Sequence, residues 1–74
     1  MPPLPSLSGK AVVKALERAG YTVASVNGSH YKMRRSGSAP LSVPVHGARD
    51  MVKGTLRGII RQTGMSEAEF LQLL

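Results

Sequence analysis

The chain has no cysteine and only four acidic residues, Glu17, Asp50, Glu67 and Glu69, among its 74. Without cysteine there is no disulfide to brace so small a fold, no thiol nucleophile and no thiolate zinc site. Four dispersed carboxylates do not make the cluster that two-metal catalysis needs, and two histidines alone make a poor metal site. A glycine-rich nucleotide loop is also missing. No stretch approaches the roughly 20 apolar residues required to cross a bilayer. The opening Met1-Pro2-Pro3-Leu4-Pro5 lacks the positive start and long apolar run of a secretory signal. These absences predict one cytoplasmic domain with no membrane association and no cofactor. A core this small is only marginally stable, so a partner or self-association is expected to add to it.

Positive charge is what the chain has in excess. Ten Lys and Arg against four Asp and Glu give a formal net charge of +6. Charge of that sign favours phosphate-rich or acidic protein partners through long-range attraction.

Residues 1–7 read as an irregular Pro-rich leader and residues 8–74 as a single domain. Ser8 is placed to cap a helix from Gly9 to Ala19 that Gly20 stops, with Val12, Val13, Leu16 and Ala19 along one apolar stripe. Tyr21 to Val26 reads as a strand, His30 to Arg35 as a second and Leu41 to Val45 as a third. Pro44 cannot donate to a ladder, which predicts an edge for the third strand. Thr55 to Thr63 reads as a helix closed by Gly64, with Leu56, Ile59, Ile60 and Thr63 facing inward and Lys53, Arg57 and Arg61 forming an outer basic stripe. Ser66 and Glu69 have the spacing of a capping box for a last helix, with Met65 and Phe70 as a hydrophobic staple. The predicted order is α-β-β-β-α-α, an α+β fold with a three-stranded antiparallel sheet and its helices on one face.

Strand alternation sorts the side chains. Tyr31, Met33, Leu41, Val43 and Val45 are the apolar set, so His30, Lys32 and Arg34 share the open face with Ser42, Pro44 and His46. One register sets Arg35 opposite Leu41 and brings His30 directly opposite His46; the next permitted step moves the two histidines apart diagonally. For the first hairpin, a three-residue Val26-Asn27-Gly28 loop with Gly28 left-handed is preferred, because it returns Tyr21 and Val23 to the core side.

An imidazole gives or takes a proton near neutral pH, and His30 begins a strand just after a turn, exposed yet held by a sheet. Lys32, Arg34 and Arg35, with Ser29 beside the histidine, are the candidate phosphate contacts. Lys53 and Arg57 are further RNA contacts, although their stripe also reads as an ordinary solvated helix face. His46 is a secondary catalytic candidate or simply the end of a strand. Without a metal, phosphodiester cleavage is easiest when the nucleic acid supplies its own nucleophile, as the 2′-hydroxyl of RNA does. The residues leave open a non-catalytic RNA-binding module of the same fold, and a small interaction protein whose charge serves an acidic partner.

Several motifs in one order narrow this further. Gly28-Ser29-His30, Val43-Pro44-Val45-His46-Gly47, Gly54-Thr55-Leu56-Arg57-Gly58-Ile59-Ile60-Arg61-Gln62, and Gly64-Met65-Ser66 followed by Glu69-Phe70-Leu71 together resemble the HicA toxins of toxin–antitoxin pairs. Ser8-Gly9-Lys10 and Ala19-Gly20-Tyr21 fit as well, so the resemblance runs from Leu7 onward and leaves out residues 1–6. It implies a fold like a double-stranded-RNA-binding domain. It also implies an endoribonuclease that cleaves mRNA and arrests translation, neutralised by a HicB antitoxin, with room for a larger assembly through that complex. The family's catalytic histidine lies in its Gly-Ser-His motif and falls on His30; the role of His46, in the Val-Pro-x-His pattern, is less settled. The antitoxin is then expected to cover the His30 face.

Overall fold

The computed structural model describes residues 4–74. Six elements follow in chain order: α1 (Gly9–Arg18), β1 (Thr22–Asn27), β2 (His30–Arg34), β3 (Leu41–Pro44), α2 (Lys53–Thr63) and α3 (Glu67–Leu71). The strands form one antiparallel sheet in the order β1-β2-β3, and the helices lie on one of its faces, giving the expected α+β fold.

Local chemistry sets the helix ends. The Ser8 hydroxyl accepts from the Ala11 N–H at 3.2 Å and caps α1. At the other end Tyr21 N–H donates to Leu16 O at 3.0 Å and Gly20 N–H to Glu17 O at 3.1 Å, the paired bonds of a Schellman stop, with Gly20 at φ 97°. The stripe of α1 is buried as Val12, Val13 and Leu16, joined by Ala15. Helix α2 begins two residues earlier than the sequence suggests. It has Val52 as its N-cap and no side-chain cap, and it buries Leu56, Ile59, Ile60 and Thr63. On α3 both halves of the Ser66–Glu69 capping box are made, at 3.1 and 2.9 Å. The Ser66 backbone N–H, which donates to that carboxylate, and secondly the nearby Ser66 hydroxyl hold the Glu69 carboxyl below its usual range.

Between helices and sheet lies one core, which includes Leu16, Tyr21, Met33, Leu41, Val43, Leu56 and Phe70. Leu4 belongs to it too, at 2% exposure, and Met51 N–H donates to Leu7 O at 2.7 Å. The Pro-rich segment is irregular from residue 4, but its apolar residue closes the core; residues 1–3 lie outside the described chain.

Two expectations about the sheet are corrected. The β2–β3 register pairs Met33 with Leu41, Tyr31 with Val43 and His30 with Pro44, so His30 does not face His46. Arg35 does not pair with Leu41: it lies past the end of β2, and Leu41 pairs instead with Met33, so that two buried apolar side chains stand side by side in the core. In the first hairpin the loop is Gly28-Ser29, closed by Asn27 opposite His30, and not Val26-Asn27-Gly28. With Gly28 at φ 61° and no other residue of the loop at positive φ, this is a type II′ turn, whose twist suits a two-residue hairpin. The face change that a longer loop was to provide comes from a β-bulge between Val23 and Ser25.

Candidate functional site

The open face of the sheet is built by alternation. Along β2, Met33 is buried and Tyr31 half-buried on the helix side, which leaves His30, Lys32 and Arg34 exposed on the other. Register then fixes their neighbours: Asn27 and Pro44 flank His30, Ser25 and Ser42 flank Lys32, and Thr22 flanks Arg34. His30, Lys32, Ser25, Asn27 and Ser42 line a shallow hollow of about 320 Å³. A more open one of about 580 Å³ takes in Thr22, Arg34, Ser36 and Pro40 at the far end of the strand.

His30 is held by backbone. It follows the Gly28-Ser29 turn directly, and Val45 N–H donates to Ser29 O at 2.6 Å, tying that turn to the chain leaving β3. Ser29 is half-buried there, and its side chain does not line the His30 hollow. No carboxylate lines the hollow, so nothing in it offsets the charge of Lys32. Among the described residues the one ion pair is Arg57 Nε to Glu67 Oε2 at 3.7 Å.

His46 lies past the end of β3, in a turn closed by Arg49 N–H to His46 O at 3.1 Å. It lines a different hollow of about 230 Å³ with Gly9, Pro44, Asp50 and Thr55, so the two histidines are not brought together as a pair. Gly9 is required there by space: a Cβ would lie 2.8 Å from Val45 Cα. That packing seats the start of α1 against the strand that follows the site.

Arg35 stands apart from Lys32 and Arg34. Its Nη1 donates to Ala19 O at 3.2 Å, its Nη2 to Thr63 O at 3.1 Å and its Nε to the Ser38 hydroxyl at 3.0 Å. The guanidinium also stacks 4.4 Å from the centre of the Tyr21 ring. These contacts gather the C-terminal ends of α1 and α2 and the β2–β3 loop, and they tether the Arg35 guanidinium to the fold although the residue still borders the larger hollow beside Arg34. Lys53 and Arg57 are exposed on α2, which lies on the covered side of the sheet; Lys53 opens the helix and Arg57 is engaged with Glu67. Ser25 and Asn27 are site neighbours that sequence reasoning missed, because the two-residue Gly28-Ser29 turn, and not the longer loop expected, decides which side of β1 faces the histidine.

Among the described residues no three His, Cys, Asp or Glu side chains come together to hold a metal ion. Among the described residues no helix is long and apolar enough to cross a membrane. The fold and the face together define a small α+β domain with an open basic sheet and an exposed imidazole at one end. A sequence model described as the HicA toxin of bacterial toxin–antitoxin systems matches residues 9–65, from the start of α1 to just before α3. The chain belongs to the HicA toxin family, and its counterpart in such a system is an antitoxin. A comparison with curated proteins finds no match.

Proposed function

We propose that this toxin is a metal-independent endoribonuclease that cleaves mRNA, with His30 as its catalytic group, and that a HicB-type antitoxin neutralises it in the cytoplasm. The observation that carries the reading is the placement of His30, exposed on a rigid turn-to-strand junction with Lys32 and Arg34 on the same face.

In the proposed reaction the 2′-hydroxyl of RNA attacks the adjacent phosphorus and the bond to the 5′-oxygen breaks. The products are a 2′,3′-cyclic phosphate and a 5′-hydroxyl. One proton leaves the 2′-oxygen and one arrives at the 5′-oxygen; His30 handles one of these transfers. Lys32 and Arg34 offset the charge that builds on the phosphate oxygens. With His46 in another hollow, the mechanism rests on one imidazole. Ser29, Lys53 and Arg57 serve as outlying RNA contacts, whereas Arg35 contributes through the fold.

The test is induced expression of wild type beside His30→Ala, with growth and RNA integrity followed together. Growth arrest and mRNA loss with wild type alone support the reading, as do cyclic-phosphate ends formed in excess EDTA and resistance of all-deoxy strands. If both proteins bind RNA alike and neither cuts it, the chain is a non-catalytic RNA-binding module.

A further inference from the structure

Strand β1 is left bare. All six of its residues are exposed, and it forms an edge of the sheet while α1 and α2 pack against β3. Val23 is opposite Met33 and Val26 opposite Tyr31, so both valines point to the helix side, yet they remain 38% and 54% exposed. In an unbroken strand, residues three apart point to opposite faces. The bulge between Val23 and Ser25 brings the two valines onto one face and buries neither.

Edge strands that must stay unpaired are usually blunted by charge or proline. The β3 edge has Pro44, whereas Thr22-Val23-Ala24-Ser25-Val26-Asn27 has neither charge nor proline, and its bulge between Val23 and Ser25 leaves Ser25 to Asn27 as a regular, unblunted edge. Asn27 and His30 close the two-residue turn with hydrogen bonds, so Val26 sits in a non-hydrogen-bonded pair and its N–H and C=O point away from β2. Val26 therefore offers an unpaired backbone and an uncovered apolar side chain together.

The geometry points to β1 as the edge on which the antitoxin docks, by adding an extended segment as a fourth strand. Alternate side chains of that segment are apolar over Val23 and Val26, and acidic on the open face. There Thr22, Ser25 and Asn27 are short enough to leave Lys32 and Arg34 within reach. Charge decides the occupant. A second copy would bring its own Lys32 and Arg34 towards the first pair, and none of the four acids lies on the sheet. RNA has no alternating apolar row to cover the valines. An acidic strand satisfies both faces. It would also place carboxylates beside Ser25 and Asn27, at the rim of the His30 hollow. The inference rests on the proposed reading only in taking the partner to be the antitoxin.

The experiment titrates the full chain with the antitoxin of its own operon at two salt concentrations. The variants are Val26→Pro, which removes the outward N–H and no ladder bond, and Val23→Thr/Val26→Thr, which keeps strand propensity and removes apolar contact. Each is expected to lose roughly tenfold or more in affinity, as a buried central contact does. Wild-type affinity is expected to fall as salt rises. RNA cleavage by the free Thr variant should match wild type but escape neutralisation. Wild-type affinity in the Thr variant, affinity indifferent to salt, or a wild-type self-dimer that the Thr variant dissolves would each overturn the inference. If wild type cuts no RNA, the ribonuclease reading fails while the binding comparison still decides this one.

Discussion

Replacing Arg35 by alanine removes three hydrogen bonds and one stacking contact in a single step. A hydrogen bond from a charged donor contributes about 1.5–3 kcal/mol, and a cation over an aromatic ring about 0.5–2. Such terms do not add within one network, and the side chain is half-buried, so about 3 kcal/mol is the expected loss. At about 0.05–0.15 kcal/mol per residue the whole domain is stable by only about 4–11 kcal/mol. One substitution would then remove a large share of it. Arg35→Lys keeps the charge, but a single ammonium cannot reach Ala19 O, Thr63 O and Ser38 from one position, so it should lose about 2 kcal/mol. Arg34→Ala is the control. Its side chain lies on the open face, so stability should change by less than about 0.5 kcal/mol while RNA affinity falls. Urea denaturation of the three variants beside RNA binding at fixed salt makes the comparison. The reasoning is refuted if Arg35→Ala unfolds at the wild-type midpoint, or if it weakens RNA binding as Arg34→Ala does while remaining as stable as wild type.

The Tyr21 hydroxyl is buried without a hydrogen-bond partner among the described residues. Tyr21→Phe should therefore raise stability by about 1 kcal/mol, and a lower thermal midpoint would show that the hydroxyl is satisfied after all. Leu4→Ala opens the core and should cost about 2–4 kcal/mol in chemical denaturation; no change would mean that the leader is a mere appendage. The α3 cap should depend on pH. Because Glu69 is held below the ordinary carboxylate range, its contribution is present above that range and is lost as pH falls through the lowered value. Hydrogen exchange at the α3 amides should show fraying in acid for wild type and a flatter profile for Glu69→Gln, whose amide oxygen still accepts.

Much of the site was legible from local rules. The capping of α1 by Ser8, the Ser66–Glu69 box and the inward face of α2 follow from spacing along one helix, which depends on no distant residue. The same holds for His30, Lys32 and Arg34 on one face of β2, since alternation needs only the strand itself. The family motifs were readable for the same reason: they are ordered along the chain.

What the tertiary structure decided is everything set by competition between distant groups. The carbonyls of Ala19 and Thr63 and the ring of Tyr21 claim Arg35, and β2 and β3 pair in the register that sets buried Met33 beside buried Leu41 and puts Pro44, not His46, beside His30. The bulge in β1 is equally non-local, because it aligns Val23 and Val26 with the faces of Met33 and Tyr31 on the next strand. Leu4 looked like part of a leader because the prolines on either side of it give no helix or strand pattern, and it is buried by residues that the fold brings to it. Sequence fixes which side chains can share a face; only packing fixes which of them meet, since that depends on partners the chain does not place next to one another.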